Sequence, residues 1–252
     1  MKHHLITLFL ALASSSIFPA HVSAQVKTGL SEQSLNTLQR FSNLPKEDRV
    51  TFDQGLTKAQ NLFTQKRIID TLEKTYALDK IFPDHPTTLG LRAACYVELR
   101  NFEKAKAIYK DLLKFNPDSL STAFNLAELE FVSSNWENAD KQFSYLITKL
   151  DNKSSNIYRL SEFKILLSKI KLGQIAEAKA IRDKYDKWDT SPFYYYSHAA
   201  LLSHEGKEKE SVEMLKNCRL IWQDDAALAS WQDTVKEFGS APSTLSPSVP
   251  NP

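Results

Sequence analysis

The 252-residue chain predicts an all-α fold, a solenoid of stacked helical hairpins with a capping helix at each end. Three observations carry this. Only 6 residues are glycine, too few for the tight turns of sandwiches and barrels or for phosphate-cradling loops. Displaced by 34 residues, the chain matches itself small on small and large on large: Ala93 on Ala127, Phe102 on Trp136, Ala105 on Ala139, Tyr109 on Phe143, Leu112 on Leu146. Turn and cap residues recur between these matches at Arg100-Asn101, Ser134-Asn135, Gly173-Gln174 and Gly206-Lys207, where Asn or Gly is suited to the left-handed conformation that ends a helix.

Taken in order, residues 1–24 read as a secretory signal. Met1 to His4 is short and basic, Leu5 to Leu12 is apolar, and Val22-Ser23-Ala24 offers small residues for cleavage before Gln25. Ser14, Ser15, Ser16 and Pro19 interrupt the apolar run well short of the ~20 residues of a membrane span, and no later stretch reaches that length. Residues 25–51 hold a capping helix, Ser31 to Ser42, with Leu35, Leu38 and Phe41 on one face. Residues 52–85 form a degenerate hairpin from Asp53 to Arg67 and Ile68 to Phe82. Residues 86–225 hold four repeats, stepping by 34, then 39 (Ala139 to Ala178), then 33 (Ala178 to Ser211); the longer connection Asp151 to Ser155 is expected to absorb the insertion. Asn116-Pro117-Asp118-Ser119 and Thr190-Ser191-Pro192 supply N-caps and a first-turn proline. Residues 226–240, with Leu228, Trp231 and Val235 at helical spacing, close the array, because a terminal repeat otherwise exposes its apolar side. Residues 241–252 are too polar and proline-rich to fold.

Within each copy a twelve-residue interval joins two small or apolar positions: Ala93 to Ala105, Ala127 to Ala139, Leu166 to Ala178, Ala199 to Ser211. Facing small residues let paired helices approach to about 8–10 Å. The pattern Leu89, Arg92-Ala93, Tyr96, Ala105, Tyr109, Pro117, repeated as Ala123, Leu126-Ala127, Glu130, Ala139, Phe143, and as Tyr195, His198-Ala199, Leu202, Ser211, Leu215, resembles the tetratricopeptide repeat family. The resemblance covers about 86–225 and implies a right-handed solenoid. Arg92 and His198 depart from the family's leucine, Glu130 from its aromatic, and the third copy has Arg182 where an aromatic belongs.

The chemistry-bearing motifs of hydrolases, zinc proteases, redox thiols and nucleotide-binding loops do not occur. His198 and His204, six residues apart on one helix, point to different sides and share no metal. Cys95 and Cys218 lie three repeats apart, on the order of 30 Å along a solenoid, against the ~7 Å reach of a disulfide; they are expected to stay unpaired. The formal charge of +2 gives a nucleic acid no electrostatic footprint. No enzyme, cofactor or metal is expected.

In the family that the sequence resembles, the first helix of each hairpin lines a concave groove. Three residues before the small reference positions stand Phe124, Phe163 and Tyr196, an aromatic in three successive repeats. Asn125, Lys164 and Ser197 follow by one residue, and Glu128 and Leu167 stand one residue after the reference positions. These eight residues are the candidate peptide-binding groove; packing between neighbouring repeats is the equal alternative for the aromatics. The carboxylate clamp known in the family is incomplete, since Gly90 and Ala94 stand where it needs polar side chains. The preferred reading is an exported protein- or peptide-binding adaptor or scaffold, periplasmic or secreted, with a protein or peptide partner, no nucleic acid and no integral membrane segment after cleavage. A structural subunit of an envelope assembly, binding through convex or edge surfaces, is the alternative, and an enzyme without a recognisable motif the third.

Overall fold

The computed structural model describes residues 32–238; the signal segment 1–24 and the tail 241–252 lie outside them. The described residues form twelve α-helices: α1 Glu32–Ser42, α2 Lys46–Thr64, α3 Ile68–Leu78, α4 Pro86–Glu98, α5 Phe102–Phe115, α6 Leu120–Val132, α7 Trp136–Lys149, α8 Asn156–Lys171, α9 Ile175–Arg182, α10 Phe193–His204, α11 Glu208–Ile221 and α12 Asp225–Phe238. The chain divides after Leu129 into two compact units.

Five turns have one geometry, and they mark the repeat more sharply than the side chains do. Lys66, Arg100, Ser134, Gly173 and Gly206 have φ between 58° and 76°, at steps of 34, 34, 39 and 33 residues. At each, the following residue's N–H donates to a carbonyl five residues back: Arg67 to Leu62, Asn101 to Tyr96, Asn135 to Glu130, Gln174 to Lys169 and Lys207 to Leu202, all at 2.8–2.9 Å. This is a Schellman ending, which satisfies the last carbonyls of the first helix. The left-handed residue is therefore Arg100 and Ser134, not the asparagines expected in that role. Asn101 instead opens α5, its side chain accepting from the Lys104 N–H at 3.4 Å, and the Asn135 amide donates to Glu130 at 2.7 Å. The turn at Lys66 places the hairpin α2/α3 in the same series.

In the unit ending at Leu129, α2 packs on α3, α3 on α4 and α4 on α5. Ala93 and Ala105 are fully buried at the α4/α5 interface, flanked by Tyr109 and Leu112. The N-terminal cap uses a different face from the expected one. Leu35 and Leu38 are 50% and 41% exposed, whereas Ser34 is buried, its hydroxyl donating to the Phe115 carbonyl. Two turns further along that face, Phe41 enters an aromatic cluster with Phe52, Phe82 and His85 at 5.0–5.2 Å between ring centres. The inward stripe is thus 34, 37 and 41, one residue out of phase with the leucines.

In the unit from Glu130 onward, α8 is the hub: α7, α9, α10 and α12 all pack on it. The five-residue insertion is shared. The connection 150–155 is two residues longer than 116–119, and α8 with 16 residues is three longer than α6 with 13. In the same repeat α9 stops after 8 residues at Arg182. The missing aromatic comes from the following loop, where Tyr185 packs edge-on against Phe193 at 4.9 Å.

Candidate interaction site

α8 and α10 are buried round most of their circumference, and α8 carries Arg159, Glu162 and Lys164 into the interior beside its apolar residues. Phe163 and Leu167 of α8 and Tyr196 and Ser197 of α10 are buried, with Phe163 and Leu167 fully so. What covers the two aromatics is α12. The Trp231 ring lies 5.4 Å from Phe163, 5.6 Å from Tyr196 and 6.5 Å from Phe193. The first helices of two hairpins, taken as a groove wall, here hold the chain's own C-terminal helix. The capping segment does more than cover the last repeat: it crosses to α8, because Trp231 is the side chain large enough to fill the space between Phe163 and Tyr196.

The polar members of the candidate groove are interior as well. Lys164 is 3% exposed, with its ammonium 4.5 Å from the centre of the Phe131 ring, a cation–π contact. The Ser197 hydroxyl donates to the Tyr194 carbonyl at 3.1 Å. In the other unit, Phe124 and Glu128 of α6 are buried; Asn125 is half-buried, and its Oδ1 lacks a hydrogen-bond donor among the described residues. Seven of the eight candidates are thus buried, and Asn125 is half-buried.

A second buried constellation, not anticipated from the sequence, fastens the loop between α9 and α10 onto α8. The Arg159 guanidinium donates twice to Asp189, at 2.9 and 3.2 Å, and once to the Lys153 carbonyl at 2.7 Å, while its plane lies 3.7 Å from the Tyr185 ring centre. Glu162 accepts from the Tyr185 hydroxyl and from Lys184 at 3.0 Å. Burial works to raise the Asp189 carboxyl; hydrogen bonds from Arg159 and Ser191, with the guanidinium charge, outweigh it and hold the acid below the usual carboxylate range. Burial, reinforced by Glu162, pushes the Tyr185 phenol up. Every charge in this group has a partner, the condition under which buried ions are tolerated, so the arrangement fixes the loop. No single residue type signals it; the cue was the Arg, Glu and Asp set clustered around the one irregular repeat.

The unit ending at Leu129 has an open cleft of about 450 Å³. Arg40 of α1, Asp84 and Pro86 at the head of α4, Leu89 of α4, and Ile108 and Lys114 of α5 line it. Its floor is aliphatic and its rim carries both signs of charge. Cys95 and Cys218 are both buried and free, and burial pushes both thiols up to about 12, so neither is a ready nucleophile. Among the described residues no group of three or more His, Cys, Asp or Glu is placed to hold a metal, and no helix is long and apolar enough to cross a membrane.

No family model and no curated protein matches this sequence. Solved structures do match its fold. A tetratricopeptide repeat protein from Parabacteroides merdae superposes with a TM-score of 0.52 at 16% identity, covering 75% of this chain and 74% of that one. A thermophilic tetratricopeptide repeat protein from Thermus thermophilus gives a TM-score of 0.51 at 18% identity over 75% of this chain and 98% of its own. With the five equivalent turns and the paired helices of each unit, these likenesses assign the chain the tetratricopeptide repeat fold.

Proposed function

We propose that the chain is an exported protein- or peptide-binding adaptor or scaffold that works in the periplasm or cell envelope. One observation carries the reading: α8 and α10 present an aromatic-lined face on which an amphipathic helix, α12, already lies with Trp231 as its anchor. A surface that holds one helix by a central aromatic has the properties of a helix-in-groove recognition site. Export rests on the segment 1–24, read from its basic start, apolar run and cleavage-site residues.

The test is photo-crosslinking in cells with the full chain, the reactive group placed at Leu89 in the open cleft or at Trp188, which is 79% exposed. A discrete partner crosslinked in the envelope fraction, together with a mature N-terminus at Gln25 by mass spectrometry, supports the reading. A chain that retains Met1 and crosslinks to nothing overturns it. The alternative, a fixed subunit of an envelope assembly, is favoured by Leu220 and Ile221 at the end of α11, adjacent and 74% and 55% exposed. Stoichiometric co-purification of a large complex lost on Leu220→Asp decides for that alternative.

A further inference from the structure

We infer that α12 is an exchangeable occupant of the α8/α10 face, and that the partner it yields to presents an amphipathic helix with an aromatic residue at the centre of its apolar stripe. The inference rests on the adaptor reading and specifies its partner.

The resident helix defines the motif. Leu228, Trp231, Val235 and Phe238 stand at i, i+3, i+7 and i+10, and all four are buried. Asp225 and Lys236 face solvent on the other side. Any helix with that stripe brings the same side chains to Phe163, Leu167 and Tyr196.

The seat fits a helix, yet this helix fills it incompletely. Trp231 is fully buried, but its indole N–H finds no acceptor among the described residues. A buried donor without an acceptor gives up its hydration and gains no bond in return. A small apolar cavity of about 10 Å³ remains between Val235 and Phe238 of α12 and Leu167, Tyr196 and Ala200 beneath them. A helix with phenylalanine at the anchor position carries no N–H to leave unpaired.

A short tether adds to these contacts in keeping α12 in place. The Trp222 N–H, hydrogen-bonded to the Cys218 carbonyl at 2.9 Å, ends α11, and Asp224, accepting from the Ala226 N–H at 2.9 Å, opens α12. Three residues therefore separate the two helices, and so short a tether gives α12 a high effective concentration at the face. A free helix competes only by fitting better or by arriving in excess.

Hydrogen exchange of the full chain under native conditions is the first test. The amides of α12 are expected to exchange at least ~10-fold faster than those of α8 and α10, reporting opening of α12 alone. Equal protection of the three helices overturns the inference. The second test adds a labelled synthetic peptide of residues 225–238 carrying Trp231→Phe to the full chain. Binding that deprotects α12 and leaves α8 protected supports exchange; a large excess of peptide that changes nothing overturns it. In the full chain, Trp231→Ala is expected to tighten peptide binding at least ~10-fold. Should that variant unfold, a Gly/Ser insertion of about fifteen residues after Gln223 lowers the effective concentration and leaves every contact in place. It is expected to raise peptide occupancy, and unchanged occupancy overturns the inference. Failure here with crosslinks retained at Leu89 removes only the exchange. Exchange without any crosslinked partner removes the adaptor reading instead.

Discussion

Arg92 stands at a position that the repeat reserves for leucine, and its surroundings explain how it is tolerated. Its guanidinium pairs with Asp79 at 2.7 Å, donates to the Thr75 carbonyl at 3.2 Å and lies 4.0 Å from the Tyr76 ring centre. Its charge is thus spent on the end of α3. Glu130, in place of an aromatic, accepts from Asn135 across the turn it precedes. His198, another replaced leucine, donates Nδ1–H to the Tyr194 carbonyl at 2.8 Å. The departures were legible as departures; the partners of Arg92 and Glu130 were not, because each lies on another helix or turn. His85 is the most consequential single residue for pH. It sits among Phe41, Phe52 and Phe82 with its Nδ1 buried, and burial lowers its pKa from 6.5 to about 4. Between those values the unfolded chain binds the proton and the folded one does not, so stability is full above pH 6.5 and falls on acidification toward pH 4. The loss is up to roughly 3 kcal/mol, and His198, also lowered by burial, adds to it in the same direction. Denaturant melts near pH 7 and near pH 4.5 are expected to separate clearly for the native chain and much less for His85→Phe. An undiminished gap in the variant assigns the effect elsewhere.

Between elements, the small residue at each hairpin crossing sets how near two helices come. Ala105 is fully buried, and its counterpart Ser211 shows what the site accepts: the hydroxyl donates to the Ala199 carbonyl at 2.8 Å. Ala105→Ser, with the Ala93 carbonyl as the equivalent acceptor, is therefore expected to melt close to the native chain. Ala105→Leu forces α4 and α5 apart at a typical overpacking cost of ~1–3 kcal/mol. Thermal melts of the two variants check this, and equal midpoints would mean that the interface lies elsewhere. The turns make a complementary test. Gly206 has φ +76° and nothing within 4 Å of where a Cβ would stand, so Gly206→Ala carries a backbone penalty alone, about 1–2 kcal/mol. Ser134, exposed at φ 61°, bears that penalty already, and Ser134→Gly is expected to stabilise by up to about 1 kcal/mol. Opposite shifts in urea midpoint verify the pair. The hairpins were legible because small residues, caps and turn signals agreed, although α2 begins at Lys46, seven residues before the expected Asp53. The division of the insertion between 150–155 and α8 was not, since a longer helix and a longer loop leave the same spacing.

For the molecule as a whole, the hairpin repeat could be read from the chain, while the state of the candidate site could not. Phe163 and Tyr196 read as equivalent positions on two first helices, but periodicity marks a face as apolar without saying what lies on it. The answer depended on Trp231, more than thirty residues further on, and on a contact that no local pattern encodes. That contact has a consequence for how the protein is made. Synthesis runs from the N-terminus, so α8 and α10 are complete while the residues of α12 are still being added. Until the last turn of the chain is released, the aromatic face is bare and sticky, and aggregation or a holding chaperone competes for it. Shortening the chain before Asp225 would make that transient exposure permanent. A premature stop there is expected to be harsher than loss of the 28 residues 225–252 suggests, with the damage appearing as insoluble or degraded product.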